Sequence, residues 1–168
     1  LQISANWNRS ITANHKRSYA LKSDTDKQVI KFTIRPMIDA DIDRVMEMEK
    51  VAFSDPWPRT AFVEQLKGPY WGALIADQDG AIVGYACYRI VADESHRTNI
   101  AVDPAWRRKS VAKLLLDRIL ETVAEFDCTL ILLEVRPTNV EAISFYEKYD
   151  FELLYRRPNY YRRPIEDA

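Results

Sequence analysis

The strongest constraint on the fold comes from an amphipathic segment that lies between two strand-like segments. Its apolar residues recur at i, i+3, i+4, i+7, i+8 and i+11, so they form one face of a helix. These residues are Ala112, Leu115, Leu116, Ile119, Leu120 and Val123. Residues 96–102 and 130–135, on either side, have the composition of strands. A strand, a helix and a second strand in succession predict two parallel strands with the helix packed against them.

Turn signals and periodicity predict the other elements of the sheet. The predicted strands cover 31–35, 71–77, 81–91 and 151–155, and the predicted helices lie near 39–51, 58–68 and 140–148. The sequence Gln78-Asp79-Gly80 favours a hairpin, so the first half of the sheet is expected to be antiparallel. The resulting order, β-α-α-β-β-β-α-β-α-β, predicts an α/β fold in which helices cover both faces of a central mixed sheet.

Composition excludes several classes of partner. The 168 residues carry 24 basic and 25 acidic side chains, so no overall positive field favours nucleic acid. No apolar run reaches the roughly 18 residues of a membrane span, and we expect no membrane partner. Cys87 and Cys128 lie in apolar surroundings and are expected to be buried, reduced thiols. His15 and His96 are isolated, so no metal site is expected.

The first 29 residues differ from the rest of the chain because they are polar and aperiodic. The stretch through Ser23 has four basic residues and no Asp or Glu. We interpret residues 1–29 as a disordered or processed extension that precedes a domain at 30–168. The alternative is an organelle transit peptide; otherwise a cytoplasmic location is expected.

A basic loop leads into the central helix and is the first candidate site. It contains Arg107, Arg108 and Lys109, and Lys113 follows in the first turn. A helix N-terminus offers unpaired N–H groups and the positive end of the helix dipole, which together hold phosphate. The alternative is a solvated basic turn.

Polar residues near the second strand of this unit form a second candidate site. Glu134 interrupts an apolar strand, where burial would raise its pKa and make it a usable general base. The alternative is an outward-facing strand carboxylate paired with an arginine. Asn139 has the position of a helix N-cap, and Tyr146 within that helix is by itself a candidate core aromatic.

Together these segments resemble the GNAT acetyltransferases. Residues 100–104 followed by 107–112 are similar to the family's acetyl-CoA pyrophosphate loop, Q/R-x-x-G-x-G/A, with Ser110 at a usual glycine. Residues 142–151 resemble the motif A-x-x-x-Y-x-x-x-G-F, with Asp150 at the usual glycine. The resemblance implies coenzyme contacts at Ile100, Ala101, Val102, Arg107, Arg108, Lys109, Ser110, Val111, Ala112, Lys113 and Asn139.

A narrower resemblance, over most of residues 31–168, is to the RimI branch of this family. It is carried by Ala52-Phe53-Ser54-Asp55-Pro56-Trp57-Pro58, Asn99-Ile100-Ala101-Val102, Leu133-Glu134-Val135-Arg136 and Arg156-Arg157-Pro158-Asn159-Tyr160-Tyr161. RimI enzymes acetylate the N-terminal alanine of small-subunit ribosomal protein number eighteen. The resemblance therefore implies acetyl-CoA as cosubstrate and a protein N-terminus, such as that of this ribosomal protein, as partner.

The same resemblance implies roles for individual residues. Glu134 would be the catalytic base and Tyr146 the catalytic acid, and Trp57, Tyr160 and Tyr161 would line the substrate groove. RimI chains continue past residues 166–168 into a final apolar strand. We therefore expect the domain to lack that strand and the sheet to have an open edge.

The expected reaction is direct attack of a neutral amine on a thioester. An α-amine has a pKa of about 8 and lysine about 10.4, so an N-terminal amine is easier to deprotonate. A backbone N–H within 100–102 is the candidate donor to the oxyanion. The alternatives are a GNAT enzyme with a small-molecule or lysine acceptor, a non-catalytic coenzyme-binding or interaction module, and a nucleic-acid binder that uses the arginines and tyrosines of 155–164.

Overall fold

A computed structural model describes residues 2–6, 30–68 and 70–168. The strands are β1 (Gln2–Asn6), β2 (Thr33–Pro36), β3 (Trp71–Gln78), β4 (Ala81–Val91), β5 (Glu94–Val102), β6 (Leu130–Glu134), β7 (Glu152–Tyr155), β8 (Tyr161–Arg162) and β9 (Ile165–Glu166). The helices are α1 (Ile42–Ala52), α2 (Arg59–Gln65), α3 (Val111–Glu125) and α4 (Val140–Glu147). Short 3-10 turns occupy Asp39–Asp41 and Pro104–Trp106. None of the helices within these described ranges is long and apolar enough to cross a bilayer.

The predicted order of elements is confirmed from β2 to β7. Most boundaries agree to within two residues, and the largest difference is at α2, which ends at Gln65, three residues before the predicted stop at Gly68. Pro36 was expected to follow the first strand but is the last residue of β2. Since β2 is an edge strand, a residue without an N–H is tolerated there.

Seven strands form one mixed sheet in the order β2-β3-β4-β5-β6-β1-β7. The β5–β6 pair is parallel, as the central strand-helix-strand unit predicts, and the other pairs are antiparallel. Strands β8 and β9 form a separate two-stranded hairpin near the C-terminal end. The predicted mixed α/β fold is confirmed.

Strand β1 was not expected from the sequence. It lies between β6 and β7 and pairs antiparallel with both. Ile3 and Ala5 are 5% and 4% exposed and belong to the main core, so alternation along this strand turns its apolar side chains inward. The predicted extension over 1–29 is therefore wrong for Gln2–Asn6, and β6 does not have the open edge that a lacking strand would leave. Residues 7–29 lie outside the described residues.

Helices pack on both faces of the sheet, and each face has its own core. On one face α3 packs through Leu115, Leu116 and Ile119 against a cluster that includes Tyr146 of α4. On the other face α1 and α2 contribute Ile42, Val45, Met48 and Phe62. The cysteines are free and buried, as predicted.

Gly84 brings the start of α3 close to the sheet. A Cβ at this position would lie 2.9 Å from Cγ1 of Val111 and 3.2 Å from the carbonyl oxygen of Ala101. Only a residue without a side chain permits this approach. The loop that precedes α3 is therefore held directly beside the end of β5.

The two parallel strands separate soon after they begin. Residue pairs between β5 and β6 are limited to Glu94 with Leu130 and Ser95 with Ile131, although β5 continues to Val102 and β6 to Glu134. A β-bulge in β5 contributes to this separation: between the pairs Cys87–Asn99 and Arg89–His96, β5 has one more residue than β4. Among the described residues, the later part of β5 therefore has no strand partner on its β6 side.

Candidate functional site

A cavity lies where β5 and β6 separate. Its volume is about 340 Å³, within the usual range for small-molecule sites. Its wall consists of Glu49, Phe53, Asp55, Trp57, Asn99, Glu134, Tyr160 and Tyr161. Three of these side chains are carboxylic and four are aromatic. The cavity can therefore hold a small cationic group against an apolar wall.

Glu134 is the last residue of β6 and lines this cavity. Its side chain is 15% exposed, and its Oε1 accepts a hydrogen bond of 2.7 Å from the guanidinium of Arg157. The same guanidinium lies 4.6 Å from the ring of Tyr160. The sequence allowed two interpretations of Glu134, a general base or a carboxylate paired with an arginine. Glu134 is paired with Arg157, and it also lines the cavity.

Glu49, which the sequence did not single out, is the most buried acidic group of the cavity. It is 1% exposed, and its two oxygens accept hydrogen bonds from three donors. The Trp57 N–H donates to Oε1 at 2.9 Å, the Tyr85 hydroxyl donates to Oε2, and the Asn99 amide lies 3.5 Å from Oε2. Burial raises the pKa of Glu49 to about 7, although the bonds from Trp57 and Asn99 oppose this.

Arg136 joins the aromatic wall to the rest of the molecule. It forms an ion pair of 2.9 Å with Glu166, and its guanidinium lies 3.9 Å from the ring of Tyr161. It also donates to Ser54 Oγ at 2.9 Å. Arg136 thus connects the β8–β9 hairpin with the loop before α2. Tyr161 of the hairpin and Trp57 of the loop line the same cavity. Burial raises the pKa of the Tyr161 phenol, so it stays protonated.

The basic loop before α3 has the form expected of a phosphate site. Arg107, Arg108, Lys109 and Ser110 are exposed, and Lys109 lies over the ring of Trp106 at 4.4 Å. The first backbone bond of α3 runs from the Leu114 N–H to the Ser110 carbonyl. Earlier N–H groups of the turn therefore have no partner within the helix and can bind an anion.

The other predicted coenzyme contacts lie around this loop. Ile100, Ala101 and Val102 form the end of β5, on the part that has no strand partner toward β6. Val111 is buried, Ala112 is half-buried and Lys113 pairs with Asp117 at 2.6 Å. Asn139 caps α4 through a 3.1 Å bond from the Ala142 N–H, as predicted.

Tyr146 does not line the cavity. It is 8% exposed, and its ring lies 5.2 Å from that of Phe145 and 5.4 Å from that of Phe151. Burial raises the pKa of its phenol, which is therefore protonated at neutral pH. Its contacts are those of a core aromatic, and only the resemblance assigns it a catalytic role.

Sequence reasoning thus found Glu134, Trp57, Tyr160 and Tyr161 but missed Glu49 as a site residue. A signal for Glu49 was present, because it lies on the helical face that also carries Ile42 and Val45. A charged residue on the buried face of a helix needs hydrogen-bond partners, and this indicates a polar site. Among the described residues no group of three His, Cys, Asp or Glu could hold a metal ion, and His15 lies outside those residues.

Comparison with known proteins identifies the family that has this arrangement. The sequence profile of the acetyltransferase (GNAT) family matches residues 42–151, which contain both Glu49 and Glu134. The chain belongs to the GNAT acetyltransferase family. The predicted enzyme class, an N-acetyltransferase, is confirmed.

Individual GNAT relatives confirm the resemblance to the RimI branch. A Bacillus subtilis protein, provisionally named a ribosomal protein bS18-alanine N-acetyltransferase, is 37% identical over 82% of this chain and 92% of its own. The ribosomal-protein-S18-alanine N-acetyltransferase from Escherichia coli is 28% identical in its crystal structure, with a TM-score of 0.73 over 82% of this chain and 89% of that chain. NAA60 of Arabidopsis thaliana, solved in complex with acetyl-CoA, shares the fold at 17% identity and a TM-score of 0.69, over 78% of this chain and 90% of that chain.

Proposed function

We propose that this GNAT enzyme transfers the acetyl group of acetyl-CoA to the N-terminal α-amine of a protein, with the N-terminal alanine of ribosomal protein bS18 as its acceptor. The observation that carries the proposal is the cavity between β5 and β6, which Glu49 and Glu134 line beside the part of β5 that is not paired with β6. The acceptor named for the Escherichia coli relative supports the identity of the substrate. Acetylation of a ribosomal protein would take place in the cytoplasm, the location expected from the sequence.

The residues around α3 fit the coenzyme. Its pyrophosphate would lie against the N–H groups at the start of α3, with Arg107, Arg108 and Lys109 supplying positive charge. Its pantetheine arm would run beside Ile100–Val102, where backbone groups of β5 have no strand partner toward β6. Acetyl-CoA, when bound, supplies the thioester that is attacked.

The cavity residues would prepare the amine. An α-ammonium has a pKa of about 8, and the carboxylates of the cavity would bind it before it loses a proton. Glu134 would accept the proton that the nitrogen releases as it attacks, and Arg157 would hold the Glu134 carboxylate in place. A backbone N–H within Ile100–Val102 would donate to the carbonyl oxygen of the thioester.

Tyr146 would return a proton to the sulfur. Because burial raises its phenol pKa, Tyr146 holds that proton until the thiolate leaves. The amine attacks the thioester carbon directly: the C–N bond forms as the carbonyl oxygen gains negative charge, the C–S bond breaks as the C=O bond forms again, and no covalent enzyme intermediate is made. Trp57, Tyr160 and Tyr161 would form the apolar wall against which the first residue of the acceptor packs.

The two catalytic assignments are tested by variants that keep the size of each side chain. We expect Glu134→Gln to lower kcat on an alanine-starting peptide by about a hundredfold or more, with an acetyl-CoA Kd close to that of the wild type. We expect Tyr146→Phe to lower kcat in the same way, because the phenol proton is missing. The acetyl-CoA Kd should stay close to that of the wild type, since the ring still packs in the core. Free thiol release gives kcat and calorimetry gives Kd. A variant that turns over at the wild-type rate removes its residue from the mechanism.

A further inference from the structure

The reaction under the proposed function releases two protons from the acceptor, but the mechanism above accounts for only one. An α-ammonium must lose one proton to become a nucleophile, and the nitrogen loses a second as the amide forms. Tyr146 gives one proton to the thiolate and must regain one afterwards. Glu134 takes the second of the two protons, and in the net reaction one proton ends on the coenzyme sulfur and one in solvent. An acceptor for the first proton within the cavity would let the bound ammonium become a nucleophile there, instead of in solution before it binds.

We propose that Glu49 is that acceptor: it takes the first proton from the α-ammonium, directly or through one water, before the amine attacks. The N–H bond of the ammonium breaks, an O–H bond forms on the Glu49 carboxylate, and the neutral amine remains beside Glu134. The proton returns to solvent after the product leaves. This role rests on the proposed function, because it requires an amine acceptor.

The first argument is the way in which Glu49 is buried. It lies in the cavity wall at 1% exposure, and none of the ion pairs among the described residues involves it. Burying a carboxylate without a cationic partner costs several kcal/mol, and a glutamine could accept the same bond from Trp57. The acid at this position therefore points to a use of its proton chemistry.

The second argument is the contrast between the two glutamates of the cavity. Glu134 is paired with the guanidinium of Arg157 at 2.7 Å, whereas Glu49 accepts hydrogen bonds from neutral donors. Two carboxyl groups whose environments differ in this way can divide acid–base work between them. A carboxyl with a pKa of about 7 can accept a proton from an ammonium of about 8 at little cost.

Other titratable groups lie around Glu49, and burial raises the pKa of two of them, Cys87 and Tyr161. The titratable groups around Glu49 and its cavity are Tyr85, Cys87, Asp55, Glu134, Tyr160 and Tyr161. Burial, with a smaller contribution from Glu49 itself, raises the pKa of Cys87, so this thiol stays neutral. Burial likewise raises the pKa of Tyr161.

The test is the pH profile of kcat/KM for the full chain with acetyl-CoA and an alanine-starting peptide, measured from pH 6 to 9.5. In Glu49→Gln the amine must lose its proton in solution, so activity follows the neutral fraction of the peptide. We expect this variant to be about fivefold slower than wild type at pH 7 and to recover at pH 9, where most of the peptide amine is already neutral. The midpoint of the acid limb moves from about 7 to about 8.

Glu47→Gln is the matched control, since Glu47 lies on the same helix but is 68% exposed. It should leave the profile unchanged. If Glu49→Gln lowers kcat/KM by the same factor at all pH values, or does not lower it at pH 7, the proposal is overturned. The pH-dependent recovery separates proton transfer from simple damage to the cavity.

A wild-type chain that acetylates no α-amine peptide at any pH refutes the proposed function instead. Glu49 is then tested without turnover, by carbon-13 NMR titration of the glutamate carboxyl groups. We expect the resonance that disappears in Glu49→Gln to titrate near pH 7. A resonance that titrates below pH 5 overturns the assignment of Glu49 as a proton acceptor.

Discussion

Ser110 lies in the basic loop before α3, residues 107–110, which we propose binds the coenzyme pyrophosphate and call the phosphate loop. It caps α3 in a left-handed conformation, with φ 64°, and Asp150 has φ 60° at the end of α4. Both positions correspond to usual glycines of the GNAT motifs. The backbone here keeps the left-handed conformation that glycine adopts easily, although the residues are serine and aspartate. Left-handed geometry costs a non-glycine residue about 1 kcal/mol.

Ser110→Gly should therefore stabilise the protein and strengthen coenzyme binding. We expect the free energy of unfolding to rise by about 0.5–1 kcal/mol and the acetyl-CoA Kd to fall, because the strain is relieved and the backbone can approach the pyrophosphate more closely. Ser144→Gly is the control: Ser144 is exposed within α4, where glycine should destabilise by roughly 0.5 kcal/mol. Urea unfolding and calorimetry measure both effects, and equal losses in the two variants would contradict the account of Ser110.

Glu49 should also make stability depend on pH. Its pKa is about 7 in the folded chain against an ordinary value of 4.5, so between these values the folded state binds more protons than the unfolded state. The contribution of Glu49 to the free energy of unfolding therefore falls as pH rises from about 4.5 to 7, by an amount on the order of 3 kcal/mol, and is constant above that.

Glu49→Gln removes this dependence while other groups continue to titrate as before. We expect the stability of Glu49→Gln relative to wild type to increase between pH 5 and pH 8 in urea unfolding. The Glu47→Gln variant should keep a constant difference from wild type. A constant difference for Glu49→Gln would mean that the folded and unfolded pKa values of this carboxyl are alike.

At the residue scale the sequence predicted what depends on local spacing. The N-cap at Asn139 and the candidate carboxylate Glu134 follow from position within an element, whereas Trp57, Tyr160 and Tyr161 were expected at the site only through the family resemblance. Position on a buried helical face marks Glu49 as a polar residue that needs partners, but it does not identify those partners, Tyr85 and Asn99, which lie far along the chain. The same holds for Arg157, whose partner is Glu134.

Strand β1 is the element that the sequence analysis missed. Five residues with apolar positions only at Ile3 and Ala5 are too few for periodicity to distinguish a strand from a polar extension. Its place follows from long-range pairing: Gln2 pairs with Glu134 on one side and Tyr155 on the other. The central strands and α3, by contrast, are predicted correctly because each has a long periodic pattern and its neighbours are adjacent in the chain.

If β1 is an integral strand, loss of its buried side chain should destabilise the whole domain. We expect Ile3→Ala to lower the free energy of unfolding by about 2–4 kcal/mol, since Ile3 is 5% exposed in the main core. Ser4→Ala, on the opposite face of the same strand, should change it by less than about 0.5 kcal/mol. Urea unfolding compares the two, and an Ile3→Ala variant as stable as Ser4→Ala would mean that β1 does not pair in solution.

At the scale of the whole molecule, the separation of β5 and β6 organises the site. The two strands pair only at their beginnings, and the gap between their ends contains Asn99 and Glu134. The phosphate loop lies beyond the end of β5, and the β8–β9 hairpin closes the cavity with Tyr160 and Tyr161. Parallel pairing was predictable from the strand-helix-strand pattern, but the separation was not, because it depends on a bulge opposite β4.

The most direct test of the central claim, N-terminal acetylation, uses three peptides with acetyl-CoA and the full chain. One is a basic peptide that begins with a free alanine, the second is the same peptide with a blocked N-terminus, and the third has lysine as its only amine. Thiol release and peptide mass are followed together. The account predicts that the first peptide alone gains one acetyl group for each thiol released. Acetylation of the lysine peptide, or no reaction with the free alanine, would contradict it.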